Sequence, residues 1–314
     1  MTLLERSKKI LADCMGIRPG EQVLIVTDDG KENIGRVLYQ AARETGAEAL
    51  LMQMLPREVS GQEPPAAVAQ AMKSADVVLV PTAQSLTHTN ARIQAVKAGA
   101  RIATMPDITE EMFQRGAICA DYGEVERLTL RITDLLTQAK SATIVKEGHT
   151  LRLNLDGRKG IASTGVYKQP GQAGNLPSGE AYIAPREDAC DGEMLIDGSM
   201  VGIGRLEEPL YVEISGGKLR RISGKQSEKV AFLTEDEHSA TLGELGIGTN
   251  RGAVLCGQIL EDEKIYGTVH IAFGTNTSFG GTNKADCHLD GVILKPDLYL
   301  DDKLILKGGE FVFE

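Results

Sequence analysis

The run Arg18-Pro19-Gly20-Glu21-Gln22-Val23-Leu24-Ile25-Val26-Thr27, continued by Asp28-Asp29-Gly30-Lys31-Glu32-Asn33, decides the fold class of the first half of the chain. Residues 22–27 form a short apolar run behind a Pro-Gly turn signal, which reads as a strand. From 33 to 44 the apolar residues Ile34, Val37, Leu38, Ala41 and Ala42 follow a helical period. Strand and helix together make one βα unit. Moving outward, the same pairing recurs at 48–54 with a helix through 66–73, at 76–80 with 89–98, and at 101–104 with a helix from 109. Strands alternating with helices are the pattern of a parallel sheet with covering helices, so the first half is expected to be Rossmann-like in layout. The Asp28–Asn33 link carries no G-x-G-x-x-G, so dinucleotide binding is not expected.

A longer helical period over 122–140, with Val125, Leu128, Ile132, Leu135 and Leu136 on one face, leads to strand-like runs at 142–145 and 150–155. Beyond it the pattern changes to short alternating runs bounded by Gly, Asp and Asn, at 211–214, 219–222, 253–255, 268–273, 292–295 and 303–307. A helix-like stretch over 227–242 is the main exception. The expected architecture is therefore α/β: a Rossmann-like domain over 1–140, then a mainly β, α+β domain over 141–314.

Length and composition agree. A chain of 314 residues has room for two compact domains, and 42% hydrophobic with 25% charged residues is ordinary globular composition. The first fourteen residues, MTLLERSKKILADC, hold five charges where a secretory signal would be apolar, and no apolar run reaches a membrane-spanning length. These features predict a cytoplasmic protein with no membrane partner. A net charge of −10 without a basic stripe, no Trp and 4% aromatic residues argue against nucleic acid as a partner. The five cysteines, at 14, 119, 190, 256 and 287, form no C-x-x-C pair, so they read as reduced thiols and not as a disulfide or thiolate-zinc framework.

The polar spacings that carry chemistry lie in the second half. His288-Leu289-Asp290 places an imidazole and a carboxylate on one face of a strand, able to clamp one divalent ion or to form a plain surface pair. In Thr268-Val269-His270-Ile271-Ala272-Phe273 the three large apolar residues share a face, leaving His270 on the other between Thr268 and Ala272. A histidine with such small neighbours has room for a ligand, or is a core histidine satisfied by a carbonyl. Glu180, in Pro177-Ser178-Gly179-Glu180-Ala181-Tyr182-Ile183, and Glu244, in Gly243-Glu244-Leu245-Gly246-Ile247-Gly248, have no cation near them in sequence. If buried, each needs a partner such as a bound cation; otherwise each is a solvated turn residue. The remaining histidines read as a helix-start residue, His88, and two solvated ones, His149 and His238. The run Glu261-Asp262-Glu263-Lys264 reads as a solvated turn, with substrate contact by Lys264 a minor option, and Arg186, Glu187, Asp188 and Asp191 either rim the metal cleft or, by default, face water.

The segments N-L-P-S-G-E-A-Y-I-A-P around Glu180, G-E-L-G-I-G-T-N around Glu244, G-T-V-H-I-A-F-G around His270 and H-L-D at 288–290 resemble the metal-site segments of the M29 metallopeptidases, the aminopeptidase T and S group. That resemblance implies a Rossmann-like first domain and a second domain with two adjacent divalent metals, held by Glu180, Glu244, His270, His288 and Asp290. It also implies a homodimer. The activity it implies is release of N-terminal amino acids by metal-activated water, with Zn, Co, Mn or Mg as metals and Glu180 and Glu244 divided between ligation and proton transfer. The peptidases carry Tyr where this chain has Thr277. Around that position the loop, with G-G-T-N before C-H-L-D, is similar to a second branch, 2,5-dihydroxypyridine 5,6-dioxygenase, which implies a single Fe(II) on two histidines and an aspartate. The readings are therefore a metallo-aminopeptidase, an Fe(II)-dependent ring-cleaving dioxygenase, or a metal-binding protein without activity.

Overall fold

The computed structural model describes residues 1–313 as two compact units. The first comprises 1–126 and 165–178, the second 127–164 and 179–313. The division falls within the helix Tyr122–Gln138, upstream of the linear boundary at 140, and a segment after it returns to the first unit. That return has a physical cause. Ala173–Asn175 adds a fifth parallel strand beside Arg101–Pro106, where its backbone satisfies a sheet edge.

The first unit has the parallel sheet that the βα pattern requires, in the order Glu48–Met54, Gln22–Asp28, Val77–Thr82, Arg101–Pro106, Ala173–Asn175. Val23 and Ile25 pack into one apolar cluster and Leu24 and Val26 into another, so this central strand is buried on both faces. Helix Glu32–Glu44 covers one face with Ile34, Leu38, Ala41 and Ala42. Gly35 lets it lie close: a Cβ there would sit 2.7 Å from that of Thr27.

The second unit is built from two antiparallel sheets. One runs Lys218–Ser223, Leu210–Ser215, Cys190–Ile196, His149–Asn154, Ser141–Lys146, Asp297–Leu300, Lys303–Lys307, Glu310–Phe311. The other runs Gly204–Arg205, Ser199–Met200, His288–Ile293, Val269–Gly274, Leu242–Gly248, Glu180–Ile183, Ile161–Ser163. One apolar core holds residues of both sheets, Ile144, Leu151, Met194 and Ile214 from the first and Ile183, Leu245, Ile271 and Leu289 from the second. The chain is thus mixed α/β, with a parallel sheet and large antiparallel sheets.

Two local expectations are corrected. The helix expected over 227–242 is a 3-10 segment, Ser227–Thr234, followed by turns and by the strand Leu242–Gly248. Its buried residues, Val230 and Leu233, are three apart, which suits the three-residue period of that helix, and the Asp236 carboxylate then takes the Ser239 N–H into a turn. The strand expected at 253–255 is a loop, because side chains satisfy its backbone. Glu261 accepts from the N–H of Val254, and Asp262 from those of Cys256 and Gly257. Among the described residues no helix is long and apolar enough to cross a membrane.

Candidate metal centre

Strand alternation builds the centre. Leu245, Ile247, Val269, Ile271, Phe273, Leu289, Ile293, Ala181 and Ile183 point into the core, so Glu244, His270, His288, Asp290 and Glu180 share the opposite face of the sheet. Simple alternation would put Leu242 on the face of Glu244, yet Leu242 is a core residue. A register shift between Leu242 and Glu244 resolves this: the bulge turns the strand so that both are placed correctly.

The register brings the donors together. Ala272 stands opposite Glu244 on one side and Asp290 on the other, so two carboxylates flank a residue too small to separate them. His270 stands opposite Gly246, where a Cβ would lie 1.9 Å from the His270 Nε2, so only glycine leaves the imidazole its place. Gly291 has the matching role on the core side, since a Cβ there would meet Ile196 at 2.7 Å.

All five residues singled out from the sequence converge. His270 Nε2 lies 3.4 Å from Glu180 Oε2 and 3.4 Å from Glu244 Oε1. His288 Nε2 lies 3.3 Å from Glu244 Oε2 and 3.6 Å from Asp290 Oδ1. His288 Nδ1 is 2.8 Å from the Thr275 carbonyl, which as acceptor makes Nδ1 a donor and turns Nε2 toward the carboxylates as the nitrogen that a metal would take in place of a proton. His270 is wholly buried, yet neither ring nitrogen has a hydrogen-bond partner, and the buried Glu180 Oε2 has none either. Such orphaned groups are costly in a folded protein and are what a cation would satisfy. Donor atoms of Glu244, His270 and Asp290 lie within 4.8 Å of one another, as do those of Glu180, Glu263 and His270. The imidazole–carboxylate set fits a divalent first-row metal.

Lys264 and Glu263, read from the sequence as part of a solvated turn, are the residues that sequence reasoning missed. Lys264 is wholly buried, with its Nζ donating to Glu180 Oε1 at 2.6 Å and to Glu263. Glu261 and Asp262 are buried as well, turned onto the 254–257 backbone. Glu180 therefore has a protein cation on one oxygen and is unsatisfied on the other. Nothing local announces Lys264, because its partner is 84 residues away.

These groups perturb one another strongly. Burial opposes charge on His270, but Glu244, Glu180 and Glu263 outweigh it and raise the imidazole to about 9. Burial likewise opposes charge on His288, and Asp290 and Glu244 lift it well above the usual range. Glu244 would be raised by burial, yet the two imidazoles hold it at about 2. Burial pushes Glu263 up to about 8 against the pull of Lys264, while Glu180 and Glu263 overcome burial to keep Lys264 charged.

The loop after the His270 strand shapes the rim. Phe279 is edge-on to His288, with centroids 5.9 Å apart, and to Tyr182 at 5.4 Å. Thr277 is exposed. Glu187, for which the sequence left the cleft rim or water open, ties the loop down: it pairs with Arg158, accepts from Thr282 N at 2.6 Å and from the Asn276 amide at 3.0 Å. His238 is exposed and His149 half-buried beside Glu193 at 2.9 Å, while His88 lies in the turn before the helix Asn90–Lys97.

A mixed α/β scaffold carrying a buried imidazole–carboxylate centre defines a metal-dependent enzyme class. The chain belongs to the 2,5-dihydroxypyridine 5,6-dioxygenase (NicX) family, which it matches over residues 2–313. It is 26% identical over 265 residues to the 2,5-dihydroxypyridine 5,6-dioxygenase of Pseudomonas putida KT2440, covering 78% of this chain and 73% of that protein. The solved 2,5-dihydroxypyridine dioxygenase from Pseudomonas putida KT2440 has the same fold, with a TM-score of 0.84 at 20% identity over 99% of this chain and 97% of that one. Wild-type AmpT from Thermus thermophilus, an M29 aminopeptidase, shares it at 0.72 and 17% identity, over 99% and 98%. The M29 relation expected from the sequence is thus one of fold, and family membership falls on the dioxygenase branch.

Proposed function

We propose that the chain is an Fe(II)-dependent dioxygenase that opens a dihydroxylated pyridine ring. The observation that carries this reading is the family match from residue 2 to residue 313, and the donor set of His270, His288 and Asp290 is consistent with it. Two imidazoles and one carboxylate are the ligand set of non-haem Fe(II) oxygenases. Bound there, Fe(II) would bring O2 and the ring together so that both oxygen atoms enter across one ring carbon–carbon bond. The protein's part is to hold and orient. The Thr275 carbonyl fixes the His288 tautomer, Glu244 stands between both Nε2 atoms as a carboxylate able to accept a hydrogen bond from a ring hydroxyl, and Phe279 with Tyr182 offers an aromatic edge for a flat substrate. The aminopeptidase reading is left with the fold shared with AmpT and lacks the tyrosine at Thr277.

The test is oxygen uptake. Protein loaded anaerobically with Fe(II) is mixed with 2,5-dihydroxypyridine, and uptake should match loss of the ring's ultraviolet absorption one for one. His288→Ala should abolish it. No uptake by the iron form, together with hydrolysis of aminoacyl anilides by the Zn or Co form, would overturn the reading.

A further inference from the structure

The centre holds two adjacent groups of donors that share His270, one with Glu244 and Asp290, the other with Glu180 and Glu263. The second group already contains a cation. Lys264 Nζ sits between Glu180 Oε1 and Glu263, its side chain wholly buried. Its backbone is pinned too, since Lys264 N donates to the Glu261 carbonyl at 3.1 Å and its own carbonyl accepts from Asn250 N at 2.9 Å. An ammonium so held is shut off from water, with Lys264 0% exposed, and like charges a few ångströms apart repel strongly in a buried site.

We propose that Lys264 is a built-in cation filling the second of two adjacent cation positions, so that the folded chain takes one divalent ion, at His270, His288 and Asp290 with Glu244 beside them, and not two. Glu180 is then a positioning residue whose free Oε2 faces His270, not the ligand of a second ion. This deepens the one-iron reading above and rests on it for the kind of ion, though not for the number.

The experiment counts ions. Apoprotein is dialysed against excess Zn(II) alone and, separately, Co(II) alone, and bound metal per chain is measured on samples shown to be folded by circular dichroism. The wild-type chain and Lys264→Arg should hold one ion. Lys264→Met should hold two, and adding Glu263→Gln to it should return the count to one. Two ions in the wild-type chain, or one in Lys264→Met, would overturn the proposal, as would a second ion that survives Glu263→Gln. Lys264→Gln replaces Lys264→Met if the latter does not fold, and the wild-type count stands as a test by itself. A wild-type chain that binds one ion but consumes no oxygen with dihydroxypyridine would remove the proposed reaction and leave this inference in place.

Discussion

Gly246 sets the room available to His270, and the consequence is measurable. In Gly246→Ala the new methyl would begin 1.9 Å from the ring nitrogen, so either the imidazole or the strand must move. Overpacking of this kind costs about 1–3 kcal/mol, and the displaced ring can no longer meet the carboxylates. The variant should melt lower and bind less iron, seen by calorimetry and metal analysis; unchanged iron content would show that His270 is not a ligand. The same imidazole makes the metal-free protein sensitive to pH. Its pKa is raised in the folded state, so its contribution to stability is complete below about 6.5 and is lost as pH climbs through about 9. Glu244 works in the opposite sense, its contribution being present above the ordinary carboxylate range and lost as pH falls toward about 2. A bound ion competes with the imidazole proton, so raising pH over the same alkaline window should weaken the apoprotein and strengthen metal binding. Melting curves from pH 6 to 9, with and without Zn(II), check both slopes, and an apoprotein whose melting point rose over that window would contradict the assignment.

At the scale of elements, the loop 275–287 connects packing to the centre. Asn283 donates to the carbonyls of Gly274 and His238, both at 2.8 Å, and its backbone N–H reaches Asn276 Oδ1 at 2.9 Å. Thr275, whose carbonyl orients His288, donates its N–H to the Cys287 carbonyl within the same loop. Asn283→Ala removes both bonds and takes this donor from the buried Gly274 carbonyl, which should cost about 1–3 kcal/mol in urea unfolding. Because partners of a ligating histidine typically matter about 10- to 100-fold in metal affinity, iron binding should weaken as well. A stability loss without any change in affinity would mean that the loop does not govern His288. The elements also show what the sequence could convey. The βα pairs, the alternation around His270 and the H-x-D pair were legible because period and spacing are local properties. The 254–257 loop was not, because side-chain carboxylates and not strand partners satisfy its backbone, and neither was the end of the 3-10 segment, after which the Asp236 carboxylate takes the Ser239 N–H into a turn. Nor was Lys264, whose burial depends on a carboxylate that is adjacent only once the strand Glu180–Ile183 is in place.

For the molecule as a whole, the two units have separate apolar cores: the centre lies in the unit with the antiparallel sheets, while Val23, Leu24, Val77 and Val78 belong to the clusters of the other. A ligand that binds only folded protein stabilises the cooperative unit that forms its site, by about 2.7 kcal/mol at a free concentration a hundred times Kd. The proposed ligands His270, His288 and Asp290 lie on Val269–Gly274 and His288–Ile293, and Glu244 of Leu242–Gly248 lies 3.4 and 3.3 Å from the two Nε2 atoms, so a bound ion would hold all three strands together. Amide exchange should therefore slow in those three strands when Fe(II) or Zn(II) is added. The strands Gln22–Asp28 and Val77–Thr82 draw their protection from their own clusters and should change much less. Chelation should reverse the effect strand by strand. Equal slowing in both units would mean that the chain unfolds as a single cooperative body, and no slowing in the three strands would mean that His270, His288 and Asp290 do not bind the ion together.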